Sequence, residues 1–169
     1  EIEIKDDKKT ILMFSEALKS LDKTRLAEGQ HIEKDFLERL GYIKKEIKDM
    51  ELLTFELTKT RKKEISEKIR FYTEQDSIDE SRLMQEVAYL IERSDITEEI
   101  VRVNIHINAF TDYLKLNEPV GKRLGFLAQE INREVNTIGS KSPIPLVTSK
   151  IVEVKNELEK IKEQIQNIL

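Results

Sequence analysis

Apolar residues recur three and four positions apart through most of this chain, the spacing that puts them on one face of an α-helix. From about Asp7 to Glu74 the sequence reads as helix. Phe14, Leu18 and Leu21 begin a stripe that resumes at Ile32, Phe36, Leu40, Ile43, Ile47 and Met50 and continues to Leu53 and Leu57. Arg25, Glu28 and Gly29 interrupt it, and a turn back of the chain is expected near Gly41 or Met50. Asp76-Ser77-Ile78-Asp79 is a turn and N-cap signal before a helix carrying Leu83, Val87 and Leu90. Ser94-Asp95-Ile96-Thr97 is a second cap site, with Glu98 and Glu99 in the first turn where acids complement the helix dipole. The helix after it places Ile96, Ile100, Val103, Ile107, Phe110 and Leu114 on one face, and Asn117-Glu118-Pro119 stops it. The next helix is expected from Pro119 or Val120 to Ile138, with Gly139 as its C′ residue. Pro143 and Pro145 hold a short loop. The last helix repeats Val147, Ile151, Val154, Leu158, Ile161, Ile165 and Ile168 without a break, a coiled-coil seam that needs another helix of this chain or of a second copy.

The expected fold class is therefore all-α: an elongated antiparallel helical bundle or coiled-coil hairpins, self-associating. Residues 1–75 form a long helical hairpin region in this reading, and residues 76–169 a second helical region. Composition agrees. Charged residues make up 37% of the 169 and aromatics 6% with no Trp, which suits narrow aliphatic stripes and wide charged faces. The chain has no Cys, which excludes a disulfide framework and thiolate chemistry and fits a cytoplasmic setting. No apolar run is long enough to cross a bilayer and no secretory signal opens the chain, so no membrane partner is expected. A start at Glu1 without Met suggests that an N-terminal part has been removed. The net charge of −4 does not announce nucleic-acid binding, so any basic footprint has to be local.

The most informative segment is the helix from Val120 to Ile138. Beside an ordinary core stripe it carries Lys122, Gln129, Asn132, Arg133 and Asn136 on one line, flanked by Glu130 and Glu134 at i,i+4. Asn is a mediocre helix former, so a row of amides bordered by Arg and Glu suits directional hydrogen bonding to something specific. An interhelical amide network that fixes a bundle accounts for the same pattern. His106 stands at i,i+4 from Arg102 and has the chemistry of a general base or metal ligand, or of a plain packing residue. His31 has no supporting partners and reads as surface, as does the basic run Lys59, Arg61, Lys62 and Lys63. Nothing matches a P-loop, a zinc site or a Ser-His-Asp order.

Pro119-Val120-Gly121-Lys122-Arg123-Leu124, Phe126-Leu127, and the run Gln129-Glu130-Ile131-Asn132-Arg133-Glu134-Val135-Asn136-Thr137-Ile138-Gly139-Ser140-Lys141 together resemble the signature of the bacterial YicC/YloC family. Gln85-Glu86-Val87-Ala88 with Arg93, Asp95 and Ile96 agrees, as do Glu98-Glu99 with Arg102, His106 and Phe110, and the ending Glu163-Gln164-Ile165-Gln166-Asn167-Ile168. Arg25, Glu28 and Gly29 resemble a motif of the same family's first long helix, and the strongest similarity covers about Leu83 to Leu169. The resemblance implies a divalent-metal-dependent endoribonuclease assembled as a ring-like hexamer, whose β-containing N-terminal module is missing from this chain. Three positions depart from the family pattern: Gly125 stands where Asp is usual, Ile105 where Ser is usual, and Leu169 where an acid is usual. The loop Ser142 to Leu146 also strays.

On that resemblance the expected chemistry is metal-assisted cleavage of an RNA phosphodiester in bacterial RNA turnover, with no DNA partner. Glu130 and Glu134 would hold Mg²⁺ or Mn²⁺, hard cations that prefer oxygen ligands. His106 would be general base or acid, with Asn132 beside it in the catalytic set. Arg102, Lys122, Arg123, Arg133 and Lys141 would contact phosphates, and Gln129 and Asn136 would orient bases or water. The alternative is a non-catalytic helical adaptor that scaffolds RNA-decay partners, with the amides fixing register between subunits.

Overall fold

The computed structural model describes residues 8–73, 80–142, 144–166 and 168. Five helices follow in order: α1 (Lys8–Thr73), α2 (Glu80–Arg93), α3 (Thr97–Leu114), α4 (Gly121–Lys141) and α5 (Pro145–Gln166). Among the described residues there is no strand, so the all-α expectation holds. The chain divides into two compact units, residues 1–38 and 39–169.

In the first unit, residues 8–31 are exposed throughout, including Ile11, Phe14, Leu18 and Leu21 of the apolar stripe. A single helix has no second element against which to bury such a face.

The second unit is built on α4. Its apolar positions Leu124, Leu127, Ile131, Val135 and Ile138 are buried, together with Ala128 on the adjoining side. On one flank lies α3, which contributes Ile100, Val103, Ile107 and Phe110, and on the other lies α5. The α5 seam is buried at Val147, Ile151, Val154, Leu158, Ile161 and Ile165. Each such aliphatic side chain is worth roughly 1.5–3 kcal/mol when fully removed from water. The partners of the seam are helices of this same chain. Ile165 and Ile151 of α5 lie 3.8 and 3.2 Å from where side chains would start at Gly125 and Gly139 of α4.

Latter α1 covers α5 along a polar edge. Arg39 pairs with Glu157 at 2.5 Å, the Tyr42 hydroxyl donates to Glu153 at 2.9 Å, and Lys150 binds Glu46 at 2.7 Å and Asp49 at 3.2 Å. Residue numbers rise on α1 as they fall on α5, so the two helices run antiparallel, and Leu40, Ile43, Ile47 and Met50 are buried beside these bonds. Glu157 is held below the usual carboxylate range, chiefly by the Lys160 ammonium and then by Arg39. Lys150 is raised by its hydrogen bond to Glu46.

Three local expectations change. α1 runs unbroken through Gly41 and Met50, because a helical Gly costs only about 1 kcal/mol and Leu40, Ile43 and Ile47 bury on either side of it. α4 continues past Ile138 to Lys141, and Gly139 sits inside the helix where Ile151 crosses closely, so its role is packing and not capping. Pro145 opens α5 at its first residue, where a missing N–H is harmless. The cap expected at residues 76–79 lies outside the described residues. Of the α2 stripe, Val87 is half-buried, and the side chains of Leu83 and Leu90 lie outside those described. At the start of α3 the Asp95 carboxylate accepts from the Thr97 amide at 2.8 Å and from its hydroxyl, and these bonds lower its pKa.

Candidate functional site

The groove between α3 and α4 carries most of the candidate residues. At one end the Lys141 ammonium reaches the Glu99 carboxylate at 2.7 Å and the Asp95 carbonyl at 3.1 Å. In the middle Arg102 is bonded to Glu98 of its own helix and lies 3.6 Å from Glu134 of α4. At the other end the Arg123 guanidinium stacks over the Tyr113 ring, 5.4 Å from its centroid, and pairs with Glu118 at 2.6 Å. Numbers rise along α3 as they fall along α4, which fixes an antiparallel register. His106 is one turn beyond Arg102, and Glu130 is one turn before Glu134. The register therefore sets His106 across from Glu130, and both are half-buried. The result is a row of acid, base, imidazole and acid along a single seam.

Burial separates two kinds of acid in that row. Glu99 and Glu134 are about 5% and 6% exposed, and buried carboxylates persist as charges only with partners. Arg102 and Lys141 supply those partners. Arg102 is held still more firmly in its charged form, first by Glu98 and also by Glu134. One oxygen of Glu99 is buried without a hydrogen-bond partner. Glu130, by contrast, is half-buried, and its link to Arg133 is loose at 3.8 Å with an arginine that is 75% exposed. Among the described residues no three His, Asp or Glu side chains converge as a metal cage.

The remaining candidates occupy the outer face of α4. Lys122, Gln129, Arg133 and Asn136 are exposed there, and Asn132 is half-buried at the edge of the same face. The polar line read from the sequence is thus the outer row, and its flank, Glu130 and Glu134, forms an inner row with His106 and Arg102 of α3. His31 is exposed, as expected.

Sequence reasoning missed the tie between Glu99 and Lys141, having read Glu99 as a first-turn acid alone. The signal was present, because Glu99 precedes Val103 and Ile107 by one and two turns and so borders the core face. It also missed Tyr113 as the seat of Arg123, a pairing across helices that only the register of two elements reveals.

The family model described as "Endoribonuclease YicC-like, C-terminal" matches residues 50–169, the segment that contains α3, α4 and α5. A relative from Clostridioides difficile (strain 630), named "Probable endoribonuclease YicC", is 41% identical over 154 residues, covering 90% of this chain and 53% of the relative. A relative of the same name from Haemophilus influenzae is 41% identical over 99 residues, covering 59% of this chain and 34% of that protein. The chain thus spans about half the length, or less, of these relatives. With the model matched over most of its residues and the signature run lying on α4 where two packed helices present it, the chain belongs to the YicC endoribonuclease family.

Proposed function

We propose that this chain forms the helical part of a metal-dependent endoribonuclease that cleaves RNA phosphodiester bonds and works as a homo-oligomer. The observation that supports it most is the α3–α4 seam, where the antiparallel register brings His106 and Glu130 to the same level between Arg102 and Arg123, each held by a carboxylate. That arrangement suits a phosphodiester. Arg102 and Arg123 would hold phosphate oxygens, Arg123 doing so from a position already set by Glu118 and Tyr113. His106 would accept a proton from the attacking oxygen or return one to the leaving oxygen as the P–O bond breaks. Asn132, Gln129 and Asn136, with Lys122, Arg133 and Lys141, would bind the flanking nucleotides, through base edges and phosphates respectively.

A divalent cation fits this donor set in one form. Mg²⁺ keeps several of its waters and takes one or two carboxylates plus substrate phosphate. Glu130 and Glu134, one turn apart on α4, would be those carboxylates, with Glu134 shared with Arg102. A cation held there would withdraw charge from the phosphoryl oxygen.

The adaptor reading has one observation in its favour: Glu134 and Lys141 are engaged in ties between helices and serve the bundle already. Cleavage of a labelled RNA by the full-length protein separates the two, run with and without EDTA. Glu130→Gln and Asn132→Ala are expected to abolish most cleavage while the oligomer stays intact. Undiminished cleavage in both, or loss of assembly in both, would remove the proposed centre.

A further inference from the structure

Phe126 is exposed in the second turn of α4, at 60%, and nothing in the packing of the bundle requires it there. A single exposed apolar side chain is ordinary on a protein surface. Its surroundings distinguish this one. On the helix Lys122 lies one turn before it and Arg123 three residues before, Gln129 follows by three, and Arg133 stands two turns on. All four are exposed, so the ring is bordered by three cations and an amide, with half-buried Glu130 one turn on toward α3. The other exposed phenylalanines among the described residues differ: at the same sequence offsets Phe14 has Thr10, Ile11, Ala17 and Leu21, and Phe55 has Glu51, Leu52, Thr58 and Lys62. Basic residues interleaved with an aromatic are what single-stranded nucleic acid requires, because cations track the phosphates while any base can stack on a ring.

We infer that Phe126 is a stacking platform for one unpaired base of the RNA, with Lys122, Arg123 and Arg133 taking the phosphates beside it. The inference rests on the ribonuclease reading and adds to it a class of substrate, since a paired base has no free face to offer. Glu130 is one helical turn from Phe126, about 5.4 Å along the axis, and His106 lies across from Glu130. A base seated on the ring thus brings a neighbouring phosphodiester to the inner row. Phe126 is a positioning residue in this scheme and Gln129, on the same face, is placed to read the edge of the stacked base.

The test is a titration of the full-length protein with a short single-stranded RNA carrying 2-aminopurine, whose fluorescence is quenched on stacking. Wild type is expected to quench it. Phe126→Ala and Phe126→Leu are expected to lose the quenching and bind roughly 5- to 150-fold more weakly, the range that one lost stacking contact gives. Phe126→Tyr is expected to retain both, and a fully duplexed RNA is expected to bind wild type and Phe126→Ala alike. Sedimentation of each variant accompanies the titration. Wild type that cleaves RNA while Phe126→Ala quenches and binds as well as wild type overturns this inference alone. So does a Phe126→Ala whose defect is a changed assembly state, which would assign the ring to a subunit interface. Wild type that neither binds nor cleaves overturns the ribonuclease reading and this inference with it.

Discussion

Two cations assigned the same task by the sequence stand in different surroundings. Lys141 and Arg133 were both expected to meet phosphate. Lys141 is bound to a carboxylate that is about 5% exposed and has a second oxygen without a partner, whereas Arg133 reaches only loosely to Glu130 from solvent. Removing Lys141 takes the ion-pair partner from the buried Glu99 carboxyl, and a stranded buried polar group costs its desolvation. Lys141→Ala is therefore expected to lower stability by roughly 1–3 kcal/mol. Arg133→Ala is expected to stay within about 0.5 kcal/mol, as exposed substitutions do. Urea unfolding of the two variants checks both values, and equal midpoints would mean that Glu99 finds another partner or sits in water. Residue types and spacing gave His106, Glu130 and Arg102 as candidates. They gave no hint that Glu134 and Lys141 are partly structural, because burial depends on which neighbouring helix covers a flank and periodicity carries no such information.

At the level of elements the apolar period was the legible part. The stripes on α3, α4 and α5 are buried where the 4-3 spacing put them, save Leu114, half-buried at the end of α3, and Ile168, exposed beyond the end of α5. Boundaries were less legible, for an identifiable reason. Gly is read as a stop because it favours the C′ position, yet Gly139 admits a close neighbour inside a helix equally well, and Ile151 takes that space. The seam on α5 also has a stronger claim than a heptad alone, since α1 and α4 both lie against this helix. Ile161 is fully buried in the seam, while Glu159 is exposed and pairs with Lys162 at 3.2 Å. Ile161→Asp inserts a carboxylate into the buried apolar seam, and it also removes a buried aliphatic group. It is expected to cost at least about 3 kcal/mol, several times the effect of Glu159→Ala, which touches a solvated pair worth under about 1 kcal/mol. Thermal melts of both variants are the check, and similar shifts would place Ile161 outside the core.

For the molecule as a whole, the family was legible because a long run of residues on one helix carries it, whereas assembly was not. The seam on α5, which invited a partner subunit, is satisfied within the chain. A contiguous uncovered apolar stripe lies at Ile11, Phe14, Leu18 and Leu21 in the first unit, where every residue from 8 to 31 is exposed. Four large apolar side chains on one helical face amount to a patch that soluble monomers seldom leave open. Association through that face would bury them, with the aliphatic gain of roughly 1.5–3 kcal/mol for each side chain opposed by the entropy of joining two bodies. Leu18 is central to the face, and Leu18→Glu places a charge there without disturbing the helix, since Glu propagates a helix nearly as well as Leu. The expected outcome is that wild type sediments as an oligomer at micromolar concentration and Leu18→Glu shifts toward monomer with unchanged helical circular dichroism. The substituted site is remote in sequence from α3 and α4, so an oligomer-dependent enzyme would lose cleavage with its assembly, and a monomer-competent one would keep it. Should Leu18→Glu sediment as wild type does, the subunits meet through another surface, and the exposed stripe on α1 belongs to a different partner.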